Sequence, residues 1–292
     1  MEKSKVYFIS KITPTSLVQI YEKLGVNVEG RVGVKISTGE LGGHNYLKPE
    51  LIKDLVQKVN GTIVECNTAY QGNRNTTEAH LENIKAHGFD KIAHVDIMDA
   101  DGEIEIPCNG KHLKVDIVGK NLANYDYIIN LAHFKGHAMG GFGGALKNQS
   151  IGIASSSGKA YIHSAGKTKK VDEFWNLLPK QNDFLESMAE AAKAVHEYMN
   201  GKILYINVMN NLSVDCDCDA SPENPCMKDI GILASTNPVA LDQACIDMIW
   251  NSKDEGREHF IQRVERQNGR HILPYAEEIG LGSRDYELIN ID

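Results

Sequence analysis

Strand-like apolar segments alternate with amphipathic, helix-like segments over the N-terminal third of the chain, and a polar loop follows each strand. Residues 31–37 and 62–66 have the pattern of buried strands, and helices are predicted from Pro49 and from Thr76 or Thr77. This βαβα order favours the α/β class, with a doubly wound, mostly parallel sheet. Ligands bind such sheets outside the carboxyl ends of the strands, so we expect the loops TGELGGHN and NTAYQGNRN to share one rim.

The rest of the chain continues the alternation. Further strands are predicted at 91–96, 126–131, 202–209 and 229–235, and further helices at 15–24, at 183–199 and from Pro238. Residues 103–118, interrupted by Asn109-Gly110, predict an inserted hairpin, and the last 40 residues predict a helix followed by a polar tail. We therefore predict a single α/β domain over residues 1–292. It is either undivided or two-lobed, with a smaller lobe around the hairpin at 100–120.

Composition and charge narrow the class of protein. The hydrophobic content of 42% and charged content of 24% are ordinary for a soluble globular protein. A formal net charge of -8 argues against nucleic-acid binding, which selects for surplus Lys and Arg. The sequence contains no apolar run long enough to span a membrane, and its first residues lack a signal-peptide pattern. The expected location is therefore the cytoplasm, without membrane partners.

A glycine-rich stretch follows the predicted strand 126–131. Five glycines lie between Gly136 and Gly144, which predicts a loop whose backbone is exposed where something approaches it closely. The stretch matches neither a phosphate-binding P-loop nor a dinucleotide fingerprint, because Leu146 stands where each motif needs glycine. Its amides could still bind an anion. The predicted cofactor-binding residues are Gly140, Gly141, Gly143, Gly144, Lys147 and Asn148.

Chemically versatile side chains lie among these glycines and just beyond them. His133, His137, Lys147 and His163 supply acid/base, cationic and metal-binding groups that a plain connector does not need. Because the strand ends just before His133, we predict that His137, Lys147 and His163 line one pocket. The alternative is a flexible surface loop in which the histidines have no common role.

Three cysteines are crowded into eleven residues, at Cys216, Cys218 and Cys226. In a reducing compartment such crowding favours a metal or redox centre, either zinc or an iron-sulfur cluster, over a structural disulfide. Cys66, a loop histidine such as His163, or an external molecule would supply the fourth ligand. The alternatives are a Cys218–Cys226 disulfide and three inert thiols. Calcium binding by an EF-hand motif is excluded, because Ala220 replaces its glycine and Cys226 its glutamate.

Three motifs together resemble a known family. The segments GGALKNQSIGIAS, SVDCDCDASPENPC and GILASTNPVALDQA resemble the bacterial and archaeal domain-of-unknown-function family described as uncharacterised Fe-S centre proteins. The resemblance covers nearly the whole chain. This sequence departs from many relatives in having no ferredoxin module with C-x2-C-x2-C-x3-C-P spacing.

A second, distant resemblance is to the nickel-dependent lactate racemase family. His137, Lys147 and His163 follow one another at ten and sixteen positions, which is similar to that family's histidine, lysine and histidine. The resemblance implies a nickel-pincer-type cofactor on Lys147, nickel binding by His163 and acid/base catalysis by His137. GNRNTTEAH also resembles a segment of that family and implies a role for Arg74, but Asn73 stands where its other catalytic histidine would be.

These observations leave three functional hypotheses. The first is a metal- or Fe-S-centre protein, either redox-active or a metal-dependent enzyme, that acts on a small anionic substrate. The second is a racemase or epimerase of the nickel-pincer type acting on a hydroxy acid, and the third is a non-catalytic module binding an anion or small molecule. We expect His44 and Arg74 to contribute cations to the site. A redox partner protein and a homodimer are the expected protein partners.

Overall fold

The computed structural model describes residues 3–292, and its strands form one large sheet and two small hairpins. The strands are β1 (Ser4–Ile9), β2 (Val32–Lys35), β3 (Thr62–Glu65), β4 (Val95–Ile97), β5 (Glu103–Pro107), β6 (Val115–Gly119), β7 (Tyr127–His133), β8 (Lys135–His137), β9 (Gly141–Gly143), β10 (Ile203–Met209), β11 (Gly231–Ser235) and β12 (Tyr286–Asn290). The helices are α1 (Pro14–Lys23), α2 (Pro49–Lys58), α3 (Thr77–His87), α4 (Ala145–Ile153), α5 (Ser156–His163), α6 (Gln181–Tyr198), α7 (Pro238–Asn251), α8 (Arg257–Arg266) and α9 (Ile272–Glu278).

The large sheet has the strand order β12-β1-β11-β10-β7-β2-β3-β4. Neighbouring strands are parallel except where β11 lies antiparallel between β1 and β10. The predicted mostly parallel α/β sheet is therefore confirmed. Because β2, β3, β7 and β10 run in the same direction, the loops that follow them emerge on one rim, as expected.

Helices cover both faces of this sheet. Along β10, Leu204, Ile206 and Val208 pack in the core beneath α1, α2 and α3. Ile203, Tyr205 and Met209 pack in the opposite core, which includes apolar residues of α4 to α9. This alternation follows from the two-residue period of strands, and it makes the sheet doubly wound.

Local signals located most element ends correctly. The Thr76 side chain accepts a hydrogen bond from the N–H of Ala79 at the start of α3, and Gly88 ends that helix with φ of 83°. The predicted hairpin is present as β5 and β6, whose Ile106 and Ile117 belong to the core around α6. No helix within residues 3–292 combines the length and apolar character needed to cross a membrane.

Three regions differ from prediction. The polar C-terminal tail forms β12, which pairs in parallel with β1 at the edge of the sheet. Both strands are only partly buried, so their apolar signal is weak. In the predicted strand 91–96, residues before Val95 instead form a 3-10 turn, Phe89–Lys91, and the turn leading from it.

The glycine stretch is the third difference, because it is buried and regular rather than an exposed loop. It forms the hairpin of β8 and β9 and then the helices α4 and α5. The glycines are needed for contact between chain segments. A Cβ at Gly136 would lie 2.3 Å from the carbonyl oxygen of Val214, and Gly141 has φ of 79°.

Replacing Gly136 with alanine is expected to lower the free energy of unfolding by about 2–3 kcal/mol, because backbone must move to admit the methyl group. Gly140→Ala is the matched control, since its Cβ would meet nothing closer than 3.3 Å. Urea denaturation of both variants measures the difference. Equal losses would show that the approach of Val214 does not require glycine.

Candidate functional site

A cavity of about 280 Å³ lies at the rim, between the loops after the parallel strands and the helices α4 and α5. Lys35 from the end of β2 and Glu65 from the end of β3 lie in its wall. The segment after β7 contributes Lys135 and His137, and the loop after β10 contributes Cys216 to Cys218. The cavity is therefore in the position that the sheet topology predicts for a ligand site.

The structure brings His137, Lys147 and His163 to this cavity. His137 ends β8, Lys147 lies in the first turn of α4, and His163 is the last residue of α5. The ten and sixteen positions between them are taken up by the β8–β9 hairpin and by the two helices. The spacing thus reflects compact local structure rather than a long loop.

The two histidines present opposite groups to the cavity. In His163, Nδ1 donates to the Lys159 carbonyl at 2.7 Å, so the neutral ring has its free lone pair on Nε2. In His137, Nδ1 accepts from the N–H groups of Met139 and Gly140 at 3.2 and 2.8 Å, so the neutral ring has its proton on Nε2. One ring therefore offers an acceptor and the other a donor.

Both rings are neutral at physiological pH. Burial, and then repulsion from Lys147, holds the pKa of His137 well below its usual range. Burial also lowers the pKa of His163 to about 4, although its hydrogen bond to the Lys159 carbonyl opposes the shift.

Among the described residues, Lys147 and Lys159 are the cavity cations without a carboxylate partner, and Lys159 donates to the Ala154 carbonyl. Within residues 3–292, no carboxylate forms a salt bridge with the Lys147 ammonium and no acceptor takes a hydrogen bond from it. Burial, and then repulsion from Lys135, lowers the pKa of Lys147 from 10.5 to about 7. A large fraction of this amine is therefore unprotonated and nucleophilic near neutral pH.

The cavity wall has an excess of positive charge. It contains Lys35, Lys135, Lys147, Lys159 and Arg74. The only carboxylates among the described lining residues are Glu65 and Asp217, which leaves a formal excess of three positive charges. In a chain with a net charge of -8, this local excess favours an anionic ligand.

Arg74 lines the cavity, but ion pairs already occupy its guanidinium. Nε lies 3.1 Å from a Glu40 carboxylate oxygen, and Nη1 lies 3.5 Å from Glu65. Nη2 donates to the Tyr70 hydroxyl at 2.9 Å. Arg74 is 4% exposed, so it joins two loops and does not present a free cation to a ligand.

His44 is outside the cavity. Its ring is exposed and bonds to the Asn224 side chain at 3.2 Å, in the loop that follows β10. His44 and Asn224 both lie in loops at the rim of the sheet. The loop after β2, however, leaves the cavity wall before it reaches His44.

The predicted cofactor-binding glycines divide into two pairs. Gly143 and Gly144 line the cavity, whereas Gly140 and Gly141 pack against the segment around Gly269. At the start of α4, the N–H groups of Ala145 and Leu146 donate to Asp242 at 2.8 and 3.0 Å. That carboxylate thus occupies amides that were expected to be free for an external anion.

Asn148 also lines the cavity, where it is held by neighbouring strands. Its amide nitrogen donates to the Lys35 carbonyl at 2.9 Å and to the Asn130 side chain at 2.7 Å. Its side-chain oxygen accepts from Lys35 Nζ at 3.2 Å. Asn148 therefore orients Lys35 rather than standing free for a cofactor.

The three clustered cysteines do not converge on one point. Cys216 and Cys218 form a disulfide, and both line the cavity. The Cys226 thiol instead donates to the Leu212 carbonyl at 3.3 Å and does not line the cavity. The predicted three-cysteine ligand set is therefore not assembled, because the turn after Asp219 carries Cys226 away from the pair. The Cys218–Cys226 disulfide is also not formed.

Several residues of the site were missed by the sequence analysis. Lys35, Glu65 and Asn130 are charged or amide residues within apolar strands, and such residues are buried only with partners. Lys135 and Asp217 form an ion contact at 2.9 Å, and His133 bonds to the same carboxylate at 2.8 Å. Burial raises the pKa of Asp217, but His133 and Lys135 outweigh it and hold the pKa below its usual range. For Lys35, Glu65 and Asn130, the signal in the sequence was a polar residue inside a predicted apolar strand, which indicates a buried side chain with a partner.

A second group of metal-binding side chains is partly buried and lies outside this cavity. Ligand atoms of His112, Asp183 and Glu186 lie within 4.8 Å of one another. Glu186 is already paired with His112 at 2.7 Å, Lys111 at 2.7 Å and His271 at 2.9 Å. These contacts satisfy the carboxylate, so the group is an ion-pair network in this structure.

Comparisons with known proteins give one family and several distantly similar solved structures. The lactate racemase apoprotein of Thermoanaerobacterium thermosaccharolyticum is similar at 14% identity and a TM-score of 0.47, over 83% of this chain and 56% of that one. A Thermotoga maritima protein is similar at 14% identity and a TM-score of 0.42, over 67% and 49%. The chain thus spans about half the length of these structures, and a search of curated proteins finds no match. The sequence model of the domain of unknown function DUF362 matches residues 32–247, and the chain belongs to this family.

Proposed function

We propose that this protein is an enzyme that binds a small anionic substrate in the rim cavity and uses Lys147 as its reactive amine. The observation that supports the proposal most strongly is the state of Lys147, which is desolvated, without a counter-ion and surrounded by other cations. A fold gains no stability from such a group, so its position is better explained by function.

The two histidines give the site an acid/base pair with fixed orientations. His163 Nε2 can accept a proton or bind a metal, whereas His137 Nε2–H can donate to an oxygen of the substrate. Neither ring must first lose a proton to the solvent, because both are already neutral at physiological pH. This arrangement supports proton transfer at a substrate held between the rings.

The remaining cations would hold and orient the anion. Lys35, Lys135 and Lys159 are each more than nine-tenths buried. Lys135 pairs with Asp217 and Lys159 donates to the Ala154 carbonyl, whereas Lys35 donates to the Ile36 carbonyl and to Asn148 and lies 4.0 Å from Glu65. An ammonium group has three donors, so Lys135 and Lys159 each have two left for a carboxylate or phosphate oxygen, and Lys35 has one. A small anion would therefore be bound by several partly satisfied cations and would lie close to Lys147.

An iron-sulfur cluster does not fit these residues. Cys216 and Cys218 are bonded to each other, and the Cys226 thiol faces Leu212. The fourth candidate, Cys66, donates to the Ile153 carbonyl at 3.2 Å, and burial raises the pKa of its thiol. A single metal held by His137, Cys216 and Cys218 fits poorly too, because the backbone occupies His137 Nδ1 and the proton occupies Nε2.

A cofactor of the nickel-pincer type fits better. The free amine of Lys147 could hold it covalently, and the free lone pair on His163 Nε2 could bind its metal. Such a group would supply an electrophilic centre that no side chain of the cavity provides. Asn73, at the position of the racemases' other catalytic histidine, is exposed on its loop, and its N–H donates to Glu40. The proposal is therefore for an enzyme on a small anion, with lactate as one candidate substrate.

Anion affinity tests this function through its pH dependence. The affinity for lactate, malate or sulfate, whose charges stay nearly constant over this range, is expected to fall about threefold to tenfold between pH 6 and 7.5 when measured by calorimetry. Lys147 loses its proton, and with it one positive charge, over this range.

Lys147→Met is expected to bind the same anion more weakly and with a flat pH profile. Lys170→Met is the control, because that exposed lysine pairs with Glu173 at the surface and should not alter binding. Failure of all three anions to bind at 1 mM would contradict the assignment of the cavity as an anion site.

A further inference from the structure

The Cys216–Cys218 disulfide separates two spaces. Both cysteines line the cationic cavity, and both also line a second cleft of about 340 Å³ on its outer side. Cys216 is 6% exposed, whereas Cys218 is half-buried. An external thiol can therefore approach the bond at Cys218 from the cleft.

The disulfide is poorly placed to act as a structural staple. It closes a loop with a single residue, Asp217, between the two cysteines, and the stabilisation from a crosslink increases with loop length. Other contacts already fix this loop. Asp217 bonds to His133 and Lys135, and Asp215 pairs with Arg263 at 3.0 Å.

The surroundings of Cys216 favour a thiolate. The N–H of Cys218 donates to Cys216 Sγ at 3.1 Å. A ring nitrogen of His137 lies within 4.8 Å of both sulfurs, and the Nε2 of that ring carries a proton in its neutral form. Hydrogen-bond donors close to a sulfur make it a better leaving group in thiol-disulfide exchange.

From these observations we propose that Cys216 and Cys218 are a redox-active pair that exchanges two electrons with a dithiol. A thiolate of the donor attacks Cys218 Sγ, the bond between the two cysteines breaks, and Cys216 leaves as the thiolate. The second thiol of the donor then attacks its own sulfur in the mixed disulfide and releases Cys218. The donor becomes a disulfide, the pair is reduced by two electrons, and two protons pass from the donor thiols to the pair. This proposal does not depend on anion binding or on Lys147.

Reduction in the folded state tests the proposal. Native protein at pH 7.5 is incubated with dithiothreitol, or with a reduced Cys-x-x-Cys protein, quenched in acid and alkylated, and its peptides are weighed. We expect 1 mM of either donor to reduce the pair within minutes while circular dichroism remains unchanged. If dithiothreitol reduces the pair and the Cys-x-x-Cys protein does not, the proposal is still supported, and the electron donor is identified as a small dithiol. A pair that is reduced only in denaturant would overturn it.

Single-cysteine variants test the assignment of the attacked sulfur. With an aromatic disulfide reagent, Cys218 in Cys216→Ser should react at least ten times faster than Cys216 in Cys218→Ser. The Cys216→Ser/Cys218→Ser double variant corrects for the remaining four thiols. Equal rates would overturn the order of attack. A reduced wild type that keeps bound metal and shields both thiols would overturn the redox assignment.

Discussion

Replacing Lys147 with methionine is expected to stabilise the protein, raising its free energy of unfolding at pH 7 by on the order of 2 kcal/mol. The wild-type side chain is ionised in the unfolded chain, but folding moves it into a desolvated site among other cations. Methionine retains most of the aliphatic stem and carries no charge. A stabilising substitution at a buried cavity position of this kind is expected of a group that serves function at the expense of stability.

The pH dependence of that gain follows from the direction of the shift. Folding lowers the pKa of Lys147 from 10.5 to about 7, so the folded state binds fewer protons than the unfolded state between these values. The penalty is complete below pH 7 and disappears as the pH approaches 10.5. Urea denaturation at pH 6.5 and pH 9.5 should therefore show a large gain for the variant at the lower pH and a smaller gain at the higher one. A destabilised variant at both pH values would mean that Lys147 has a structural partner.

Replacing Arg74 with alanine is expected to have the opposite effect, lowering the free energy of unfolding by about 3–5 kcal/mol. Glu40 and Glu65 are each only 3% exposed, and the change removes the cation with which both of them pair. It also removes the donor to the Tyr70 hydroxyl. These contacts join the loops after β2 and β3, so we expect these two loops at the rim of the cavity to become more mobile when the contacts are lost.

A surface arginine provides the control for this loss. Arg266 is exposed at the end of α8, and its replacement by alanine should change stability by less than about 0.5 kcal/mol. Guanidinium denaturation of the two variants gives the comparison. If Arg74→Ala were as stable as wild type but bound anions poorly, the guanidinium would be a ligand group after all.

The large sheet was predictable because its central strands are buried on both faces and carry continuous apolar sequence. Residues 126–131 and 202–209 are of this kind, and they became β7 and β10. The edge strands β1 and β12 were missed because their partly exposed residues dilute the same signal. Within the glycine stretch, composition suggested flexibility, whereas the glycines at 136 and 144 admit Val214 and Asp242.

The sheet topology made it possible to predict which side chains lie at the cavity. The hydrogen-bond and ion-pair partners of those side chains could not be predicted. His137, Lys147 and His163 were grouped from spacing and from the strand before them, and the structure places them in one cavity. Arg74 forms ion pairs with Glu40 and Glu65. Predicting these pairs requires knowing which loops are in contact, and no local sequence pattern contains that information. The same is true of Asp242, which reaches α4 from a helix almost a hundred residues later.

The protonation state of Lys147 in the folded protein can be measured by chemical labelling. Competitive acetylation with trace acetic anhydride between pH 5 and 11, followed by mass spectrometry of the Lys147 peptide, gives the fraction of free amine. Exposed Lys170 in the same sample serves as the internal reference. We predict half-maximal labelling of Lys147 near pH 7, and slower labelling when phosphate is present. A midpoint near pH 10 for Lys147, with no protection by anions, would show that it is an ordinary solvated lysine and would contradict the proposed role.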